Sequence, residues 1–283
     1  MDNCKKDFTP KNQFIAYIDV LGYEQKVKEI GTKKLAEVIY QTIEKTKEHI
    51  ERIANTFDGT ESKIYNSTIL IKSTVNFKVF SDNFIICTDT EDFPSLIQLV
   101  ENMQRLFLEH NIFIRGALCY GELYFDDTFI CGQGIIDAYR IESEIALFPR
   151  IIVDRSCFQR RIEYSKEIIN LEPIMYNDVL CDFDRHIGDY ITKDFDGFYF
   201  IDYLKSNDLM FKKVFSKVVG VNNEVSKSDL QQLLEEQVLI HKNIIEKNLK
   251  ENKNRLKILQ KYEWCRSYYN NFCEKYGYHN LII

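Results

Sequence analysis

Proline and glycine are scarce in this chain of 283 residues, which contains 4 prolines and 11 glycines. That scarcity excludes collagen-like, linker-rich and low-complexity architectures. No apolar run approaches the roughly 18 residues that a membrane-spanning helix needs. The first ten residues also lack the apolar stretch of a secretory signal. We therefore expect a cytoplasmic protein that has no membrane partner.

Several site patterns are missing as well. The eight cysteines form no Cys-x-x-Cys pair, and no histidine stands at metal-ligand spacing from them, which favours free thiols over disulfides or structural zinc. There is no G-x-S-x-G motif and no P-loop. With 43 acidic against 37 basic residues the net charge is −6, so a sequence-independent nucleic-acid partner is not expected.

Apolar periodicity predicts alternating strands and helices over the first 154 residues. The predicted strands are 13–20, 77–80, 84–87, 112–120, 123–125 and 151–153. The predicted helices are 24–55 (with a break at 31–32), 94–110 and 132–145. The order β-α-β-β-α-β-β-α-β predicts an α+β fold with a mainly antiparallel sheet and helices on one face.

The composition changes after about Leu204, which divides the chain into a predicted domain at 1–205 and a helical C-terminal extension at 206–283. Within the extension, apolar residues spaced by three and four predict one long amphipathic helix over 229–261. Two arrangements remain open, because its apolar seam suits docking on its own domain as well as pairing with a second chain. The aromatic residues of 262–272 are expected to pack against the body.

Two acids stand at positions where a charged carboxylate is unfavourable because it borders an apolar strand. Asp19 ends the first apolar strand, and Asp82 occupies the tip of the predicted hairpin. An acid at the edge of an apolar sheet needs a partner or a metal. Because the hairpin lies beside the first strand in such a fold, the carboxylates can converge, and two carboxylates suit Mg²⁺ or Mn²⁺. The alternative is that each Asp only caps a turn.

A possible phosphate-binding turn follows the first strand at Val20-Leu21-Gly22-Tyr23, just before a helix N-terminus. Three basic residues have two interpretations each. Arg140 forms a structural salt bridge or faces phosphate charge. Arg115 lies inside a strand and needs a partner, for which a structural bridge is favoured. Lys78, four residues before Asp82, is solvated or contacts a base or phosphate.

Together and in order, these segments resemble class III nucleotidyl cyclases. The resemblance rests on 14–23 (FIAYIDVLGY), 80–82 (FSD), 115–117 (RGA) with Gly121, and 132–140. Three later motifs, 194–197 (DFDG), 201–204 (IDYL) and 261–264 (KYEW), are more similar to the Pycsar pyrimidine cyclases of bacterial anti-phage defence. The similarity covers about 12–154 for the cyclase core.

The resemblance implies roles for most of these residues. Asp19, Asp82 and the backbone of Val20 would hold two Mn²⁺ or Mg²⁺ ions. The turn at 20–23 would bind the triphosphate, and Arg140 would stabilise the transition state. The family also implies a homodimer with sites shared between chains, and a separate effector that the cyclic nucleotide activates.

Two departures from the family pattern bear on substrate and turnover. Ile136 replaces the usual Asn four residues before Arg140, and Phe129 replaces the polar residue that completes purine recognition beside Lys78. The aromatic side chain favours a pyrimidine, so the expected reaction converts UTP to cyclic UMP and pyrophosphate, with CTP as the alternative. Because Ile136 stands in place of the Asn, two alternatives remain. The protein is an inactive dimer that senses nucleoside triphosphates, or Arg115 binds the phosphates in place of the missing Asn.

Overall fold

The computed structural model describes residues 8–57, 75–88, 93–171, 187–205 and 227–283. The strands are β1 (Lys11–Val20), β2 (Val75–Phe80), β3 (Asn83–Thr88), β4 (Ile114–Phe125), β5 (Ile130–Cys131), β6 (Ile151–Val153), β7 (Ile191–Lys193) and β8 (Tyr199–Ile201). The α-helices are α1 (Tyr23–Phe57), α2 (Phe93–Glu109), α3 (Gln133–Glu144), α4 (Arg155–Leu171), α5 (Lys227–Glu251) and α6 (Leu256–Tyr276). Short 3-10 helices cover Ile187–Asp189 and His279–Leu281.

The strands form one sheet in the order β2-β3-β1-β4-β6-β8-β7, and β5 pairs with β4. Neighbouring strands are antiparallel except β4 and β6, which run parallel. The prediction of an α+β fold with a mainly antiparallel sheet is therefore confirmed. The predicted order of elements up to 153 is found as well, except that the predicted strand 123–125 is the end of β4 and the short strand before α3 is β5.

Both faces of the sheet are covered, because β1 is apolar on each side. Phe14 and Ile18 share a buried cluster with α1 and α2. Ile15 lies in a second cluster with Ala138 of α3. The expectation that helices lie on one face therefore holds for α1 and α2 but is wrong for α3. A strand without alternating polar residues has to be covered on both sides, which is the physical reason for the difference.

The chain does not turn at Gly121, where two strands were predicted to meet. β4 continues from Ile114 to Phe125, and Gly121 pairs in register with Gln13 of β1. The turn comes later, where the Asp126 carboxylate accepts hydrogen bonds from the backbone N–H groups of Thr128 (2.6 Å) and Phe129 (2.9 Å). An Asp that binds the backbone two and three residues ahead is a strong turn former.

The break predicted in the first helix is confirmed at Gly31, whose φ of 80° and ψ of 154° interrupt α1. Glycine tolerates this positive φ because it has no Cβ atom. The hairpin between β2 and β3 is tighter than expected, since only Ser81 and Asp82 connect the two strands. Asp82 nevertheless occupies its tip, as predicted.

The single long helix predicted over 229–261 is wrong, because α5 ends at Glu251 and α6 begins at Leu256. At the break, the Asn252 side chain donates a hydrogen bond to the carbonyl of Asn248 at 2.9 Å. The Arg255 N–H then bonds to the Asn252 carbonyl at 2.8 Å. A side chain that bonds to the backbone of the preceding turn competes with continuation of the helix. α6 therefore folds back and packs against α5.

The two C-terminal helices dock on their own chain. Val238 and Trp264 share a buried cluster with Phe113 of the central sheet region, so packing of the aromatic segment against the body is confirmed. The Tyr268 hydroxyl donates to the Asp202 carboxylate at 2.6 Å and accepts the Leu204 N–H at 3.0 Å. The predicted boundary at 205/206 borders residues outside the described part of the chain and stays a prediction. No helix in the described ranges is long and apolar enough to cross a membrane.

A buried histidine in α5 gives the fold a predictable response to acid. His241 is 2% exposed, and its Nε2 lies 3.1 Å from the Tyr203 hydroxyl. Burial lowers its pKa to about 3, so the folded protein holds it neutral while the unfolded chain protonates it near pH 6.5. We expect this group to remove about 1.4 kcal/mol of stability for each pH unit between about 6.5 and 3.

Denaturant unfolding of the wild type and His241→Gln at a series of pH values measures this slope, because Gln retains a hydrogen-bonding group beside Tyr203 but does not titrate. The Gln variant should lose less stability as the pH falls. His279→Gln changes an exposed histidine and should follow the wild type. Identical slopes for the wild type and the His241 variant would contradict the prediction.

Candidate functional site

Two carboxylates meet at one end of the central strands. Asp19 is the penultimate residue of β1, where it stands opposite Asn83 of β3. The neighbouring Asp82 lies in the β2–β3 turn, and its carbonyl accepts the Val20 N–H at 3.0 Å. The Asp82 carboxylate accepts a hydrogen bond from the Asn83 amide at 3.1 Å. The structure thus brings together the two acids that the sequence singled out.

Arg115 lies on β4 directly opposite Asp19 and binds two acids. Its Nε donates to Asp19 Oδ2 at 3.1 Å, and its Nη2 lies 2.6 Å from Glu142 Oε1. A third contact joins Arg115 Nη1 to the Ala146 carbonyl at 3.2 Å. The structural bridge expected for Arg115 is therefore present, and it is located within the candidate site.

The two acids bound to Arg115 have perturbed proton affinities. Burial raises the pKa of Asp19, and Arg115 opposes this rise while the charge of Asp82 adds to it. Burial also raises the pKa of Glu142, again opposed by Arg115. Asp19, Glu142 and the nearby Asp82 are three carboxylates, and among the described residues only two cations, Arg115 and Lys261, lie within electrostatic range of Asp19 and Glu142, which leaves an excess of negative charge. Such a cluster favours an additional cation.

The sequence reasoning missed Glu142. Its signal was an acid on the buried face of α3, because Gly134, Ala138 and Glu142 are spaced by four residues and all are buried. A buried carboxylate on a helix face needs a cation, and here Arg115 supplies it. Gly121 and Gly134 allow this face of α3 to approach the sheet.

Glycine allows α3 to lie against the sheet closely enough for Glu142 to reach Arg115. A Cβ atom on Gly134 would lie 2.4 Å from Ile15 Cδ1 and 3.1 Å from the Gly121 carbonyl carbon. A Cβ on Gly121 would in turn lie 3.0 Å from the Gly134 Cα. The backbones of helix and strand therefore touch at these two positions. Any side chain there pushes the helix away from the sheet.

Two tyrosines lie beside the acids on the same face. The Tyr17 ring, on β1, meets the Tyr139 ring of α3 edge to face at a centroid distance of 5.6 Å. Burial raises the pKa of Tyr17 to about 12, and the charge of Glu142 adds to the effect. Tyr17 therefore stays protonated at neutral pH and offers a hydroxyl donor.

The predicted phosphate turn follows Asp19 directly. The Val20 and Leu21 N–H groups are already used, by the carbonyls of Asp82 (3.0 Å) and Phe113 (2.9 Å). Gly22 has a φ of 70°, and α1 begins at Tyr23. The turn thus sits beside the acids and opens towards the N-terminus of α1. Its role in binding phosphate stays a prediction.

Lys78 and Phe129 are both connected to the turn that follows β4. The Lys78 ammonium donates to the carbonyls of Asp126 (2.8 Å) and Asp127 (3.0 Å) in the β4–β5 turn. Phe129 closes the same turn, and its ring lies 5.2 Å from that of Tyr124. Lys78 is therefore held by two backbone carbonyls of this turn, and the partly exposed Phe129 belongs to the same turn.

Arg140 is not part of the cluster around Arg115. It is exposed on α3 and pairs with Asp137 at 3.0 Å. Its neighbours Ile136 and Tyr139 are 52% and 54% exposed. Large apolar side chains at this exposure mark a surface suited to contact with another molecule.

The carboxylate oxygens of Asp19 and Asp82 fit a divalent metal ion whose remaining ligands come from the substrate. Within the described ranges no group of three or more His, Cys, Asp or Glu side chains is arranged to bind a metal. Mg²⁺ in nucleotide enzymes is nevertheless commonly bound by one or two carboxylates together with substrate phosphates. Asp19 and Asp82 supply two such carboxylates, and the excess negative charge is of the right sign. The residues therefore fit Mg²⁺ or Mn²⁺ completed by a polyphosphate.

The chain is similar to known proteins in structure but not detectably in sequence. No protein-family model and no curated protein sequence matches the chain. The adenylyl cyclase CyaB from P. aeruginosa is similar over 56% of this chain and 84% of its own, with 16% identity and a TM-score of 0.36. A bacterial light-regulated adenylyl cyclase is similar over 54% of this chain and 81% of its own, with 11% identity and a TM-score of 0.36. Likeness at this level assigns no activity, which has to be argued from the site.

Proposed function

We propose that the protein is a metal-dependent pyrimidine nucleotide cyclase that converts UTP to 3′,5′-cyclic UMP and pyrophosphate. The observation that carries this proposal is the convergence of Asp19 and Asp82 beside the turn at 20–23. In the reaction the ribose 3′-hydroxyl attacks the α-phosphorus. The new O3′–P bond forms, the hydroxyl loses its proton, and the bond to pyrophosphate breaks.

Asp19, Asp82 and the backbone of Val20 are the residues that would hold two Mn²⁺ or Mg²⁺ ions. Bound there, the ions would lower the pKa of the 3′-hydroxyl and neutralise charge on the phosphates. Arg115 already compensates Asp19 in the described state. It is therefore placed to turn to a phosphate oxygen when a different cation takes over the carboxylate.

The base would lie near Lys78 and Phe129. Phe129 offers an aromatic surface of the kind that stacks on a base, but no hydrogen-bonding group for a purine edge. The Lys78 ammonium already donates hydrogen bonds to two backbone carbonyls. It therefore has fewer N–H groups left to bind a base than a lysine without such partners. Both features favour a pyrimidine. CTP is the alternative substrate, because nothing in this pair distinguishes the uracil O4 from the cytosine N4.

A second copy of the chain would complete each site. The exposed Ile136, Tyr139 and Arg140 lie on α3, on the face of the sheet that carries Tyr17. Phe80, which is 79% exposed, stands opposite Asn83 and so belongs to the same face. Covering this apolar surface with a partner would bring Arg140 of one chain towards the acids of the other. The product would then activate a separate effector, as part of a cytoplasmic defence system.

The direct test incubates the purified protein with Mn²⁺ and each of ATP, GTP, CTP and UTP, and resolves the products by mass spectrometry. We expect cyclic UMP from UTP, with cyclic CMP as the alternative result. Cyclic AMP or GMP as the main product would contradict the argument from Phe129. If all four triphosphates are bound and recovered unchanged, the cyclase proposal fails and the nucleotide-sensing dimer, motivated by Ile136, is supported.

A further inference from the structure

A cleft separates the α5–α6 hairpin from the turn that follows Asp19. Its volume is about 860 Å³, large enough for a nucleotide-sized ligand. Leu21 and Gly22 line it together with the start of α1, and Phe113 and Pro149 also belong to the lining. The remaining lining residues come from the C-terminal helices. The cleft thus opens beside the predicted phosphate turn.

Basic residues outnumber acidic ones around this cleft. The cations are Lys26, Lys28, Lys247, Arg255 and Lys261, and the acids are Glu24, Glu29 and Glu251. Three ion pairs join Lys26 to Glu29, Lys28 to Glu24, and Lys247 to Glu251. Within the described residues Lys261 and Arg255 form no ion pair, so the lining of the cleft carries two more basic than acidic side chains.

Lys261 links the cleft to the acids of the candidate site. It lies on α6, partly buried, and close enough that its charge opposes the rise in the pKa of both Asp19 and Glu142. Arg115 also lies within electrostatic range of Lys261. Asp19 and Glu142 lie within electrostatic range of Lys261 as well, so Lys261 stands between the acids and the lining of the cleft.

We propose that this cleft binds the triphosphate of the substrate, and that Lys261, assisted by Arg255, positions it. The assignment rests on the proposed function, because it takes the turn at 20–23 as the start of the phosphate path. The C-terminal helices are then part of the substrate site and do more than complete the fold. Lys261 contacts the phosphates that leave as pyrophosphate.

Inorganic triphosphate with Mg²⁺ is the probe, and isothermal titration calorimetry of the full chain is the measurement. Lys261→Met should weaken triphosphate binding about ten-fold, since it removes one charge-assisted contact. Lys261→Arg should retain most of the affinity. Lys257→Met removes the same charge from an exposed position on the same helix and should bind as the wild type does. Thermal unfolding by circular dichroism identifies any variant that does not fold.

Steady-state kinetics distinguishes this inference from the cyclase proposal. With UTP, or with CTP if that is the substrate, Lys261→Met should raise KM about ten-fold, whereas Lys257→Met should leave it unchanged. A wild-type KM and wild-type triphosphate affinity in Lys261→Met would overturn the inference while the cyclase activity stands. If the protein binds triphosphate through Lys261 but forms no cyclic nucleotide, the phosphate site is supported and the cyclase proposal is overturned.

Discussion

Mixing the inactive variants Asp19→Ala and Arg140→Ala is expected to restore about a quarter of wild-type cyclase activity. Alone, each variant should lose activity, by about 10³-fold or more for Asp19 and by about 10²–10³-fold for Arg140. Asp19 would be lost from the metal site, and Arg140 from the transition state. Both variants should fold, because Arg115 retains Glu142 as a partner and Arg140 is exposed.

The expected fraction follows from dimer statistics. Random exchange of equal amounts makes half of the dimers mixed, and each mixed dimer keeps one of its two composite sites intact. The matched control is a mixture of Asp19→Ala with Asp82→Ala. These acids belong to the same half-site, so every site in that mixture stays defective. Recovery in the control, or none in the Asp19 and Arg140 mixture, would refute a site shared in this way.

Replacing Arg150 by Met should lower the free energy of unfolding by about 3–5 kcal/mol. Arg150 is fully buried and bridges Asp194 and Asp196, with one contact to Asp196 Oδ1 at 3.1 Å. The Phe148 and Trp264 rings enclose the guanidinium at 5.4 and 5.8 Å. Without the arginine, two neighbouring carboxylates would face each other and the aromatic rings with no compensating cation.

Denaturant unfolding followed by far-UV circular dichroism measures this loss. Arg266→Met is the control, because Arg266 forms an exposed ion pair with Glu263 on α6, and exposed pairs contribute at most about 1 kcal/mol. The triple variant Arg150→Met, Asp194→Asn, Asp196→Asn should recover part of the stability, since the arginine and both carboxylates lose their charges together. An Arg150 variant as stable as the Arg266 variant would show that the bridge contributes little.

Local patterns predicted the strands and helices around β1 well. The apolar run predicted as a strand at 13–20 corresponds to β1 at Lys11–Val20, and the helix predicted at 94–110 corresponds to α2 at Phe93–Glu109. Both depend on periodicity within one segment, which a sequence displays directly. The end of α5 depended instead on a side-chain contact of Asn252. The face on which α3 lies depended on the two-sided burial of β1, a property of the assembled sheet.

The same distinction separates the site residues. That Asp19 and Asp82 lie close together was predictable, because an acid after an apolar strand is unusual within its own segment. Glu142 becomes a site residue only through the close approach of Gly134 to Gly121. Lys261 belongs to the cleft only because α6 folds back on α5, which brings it near residues more than two hundred positions earlier. Neither arrangement can be read from local spacing.

The position of Trp264 gives the protein an intrinsic optical reporter. It is the sole tryptophan in the sequence, and it lies on α6 three residues after Lys261. Its indole N–H donates to Asp194 at 2.8 Å, and its ring stacks between Phe148 (5.8 Å) and Tyr268 (5.3 Å). Fluorescence excited at the red edge, where tyrosine does not absorb, therefore comes from one known place on this helix. A shift of α6 on ligand binding would change the emission without any attached label.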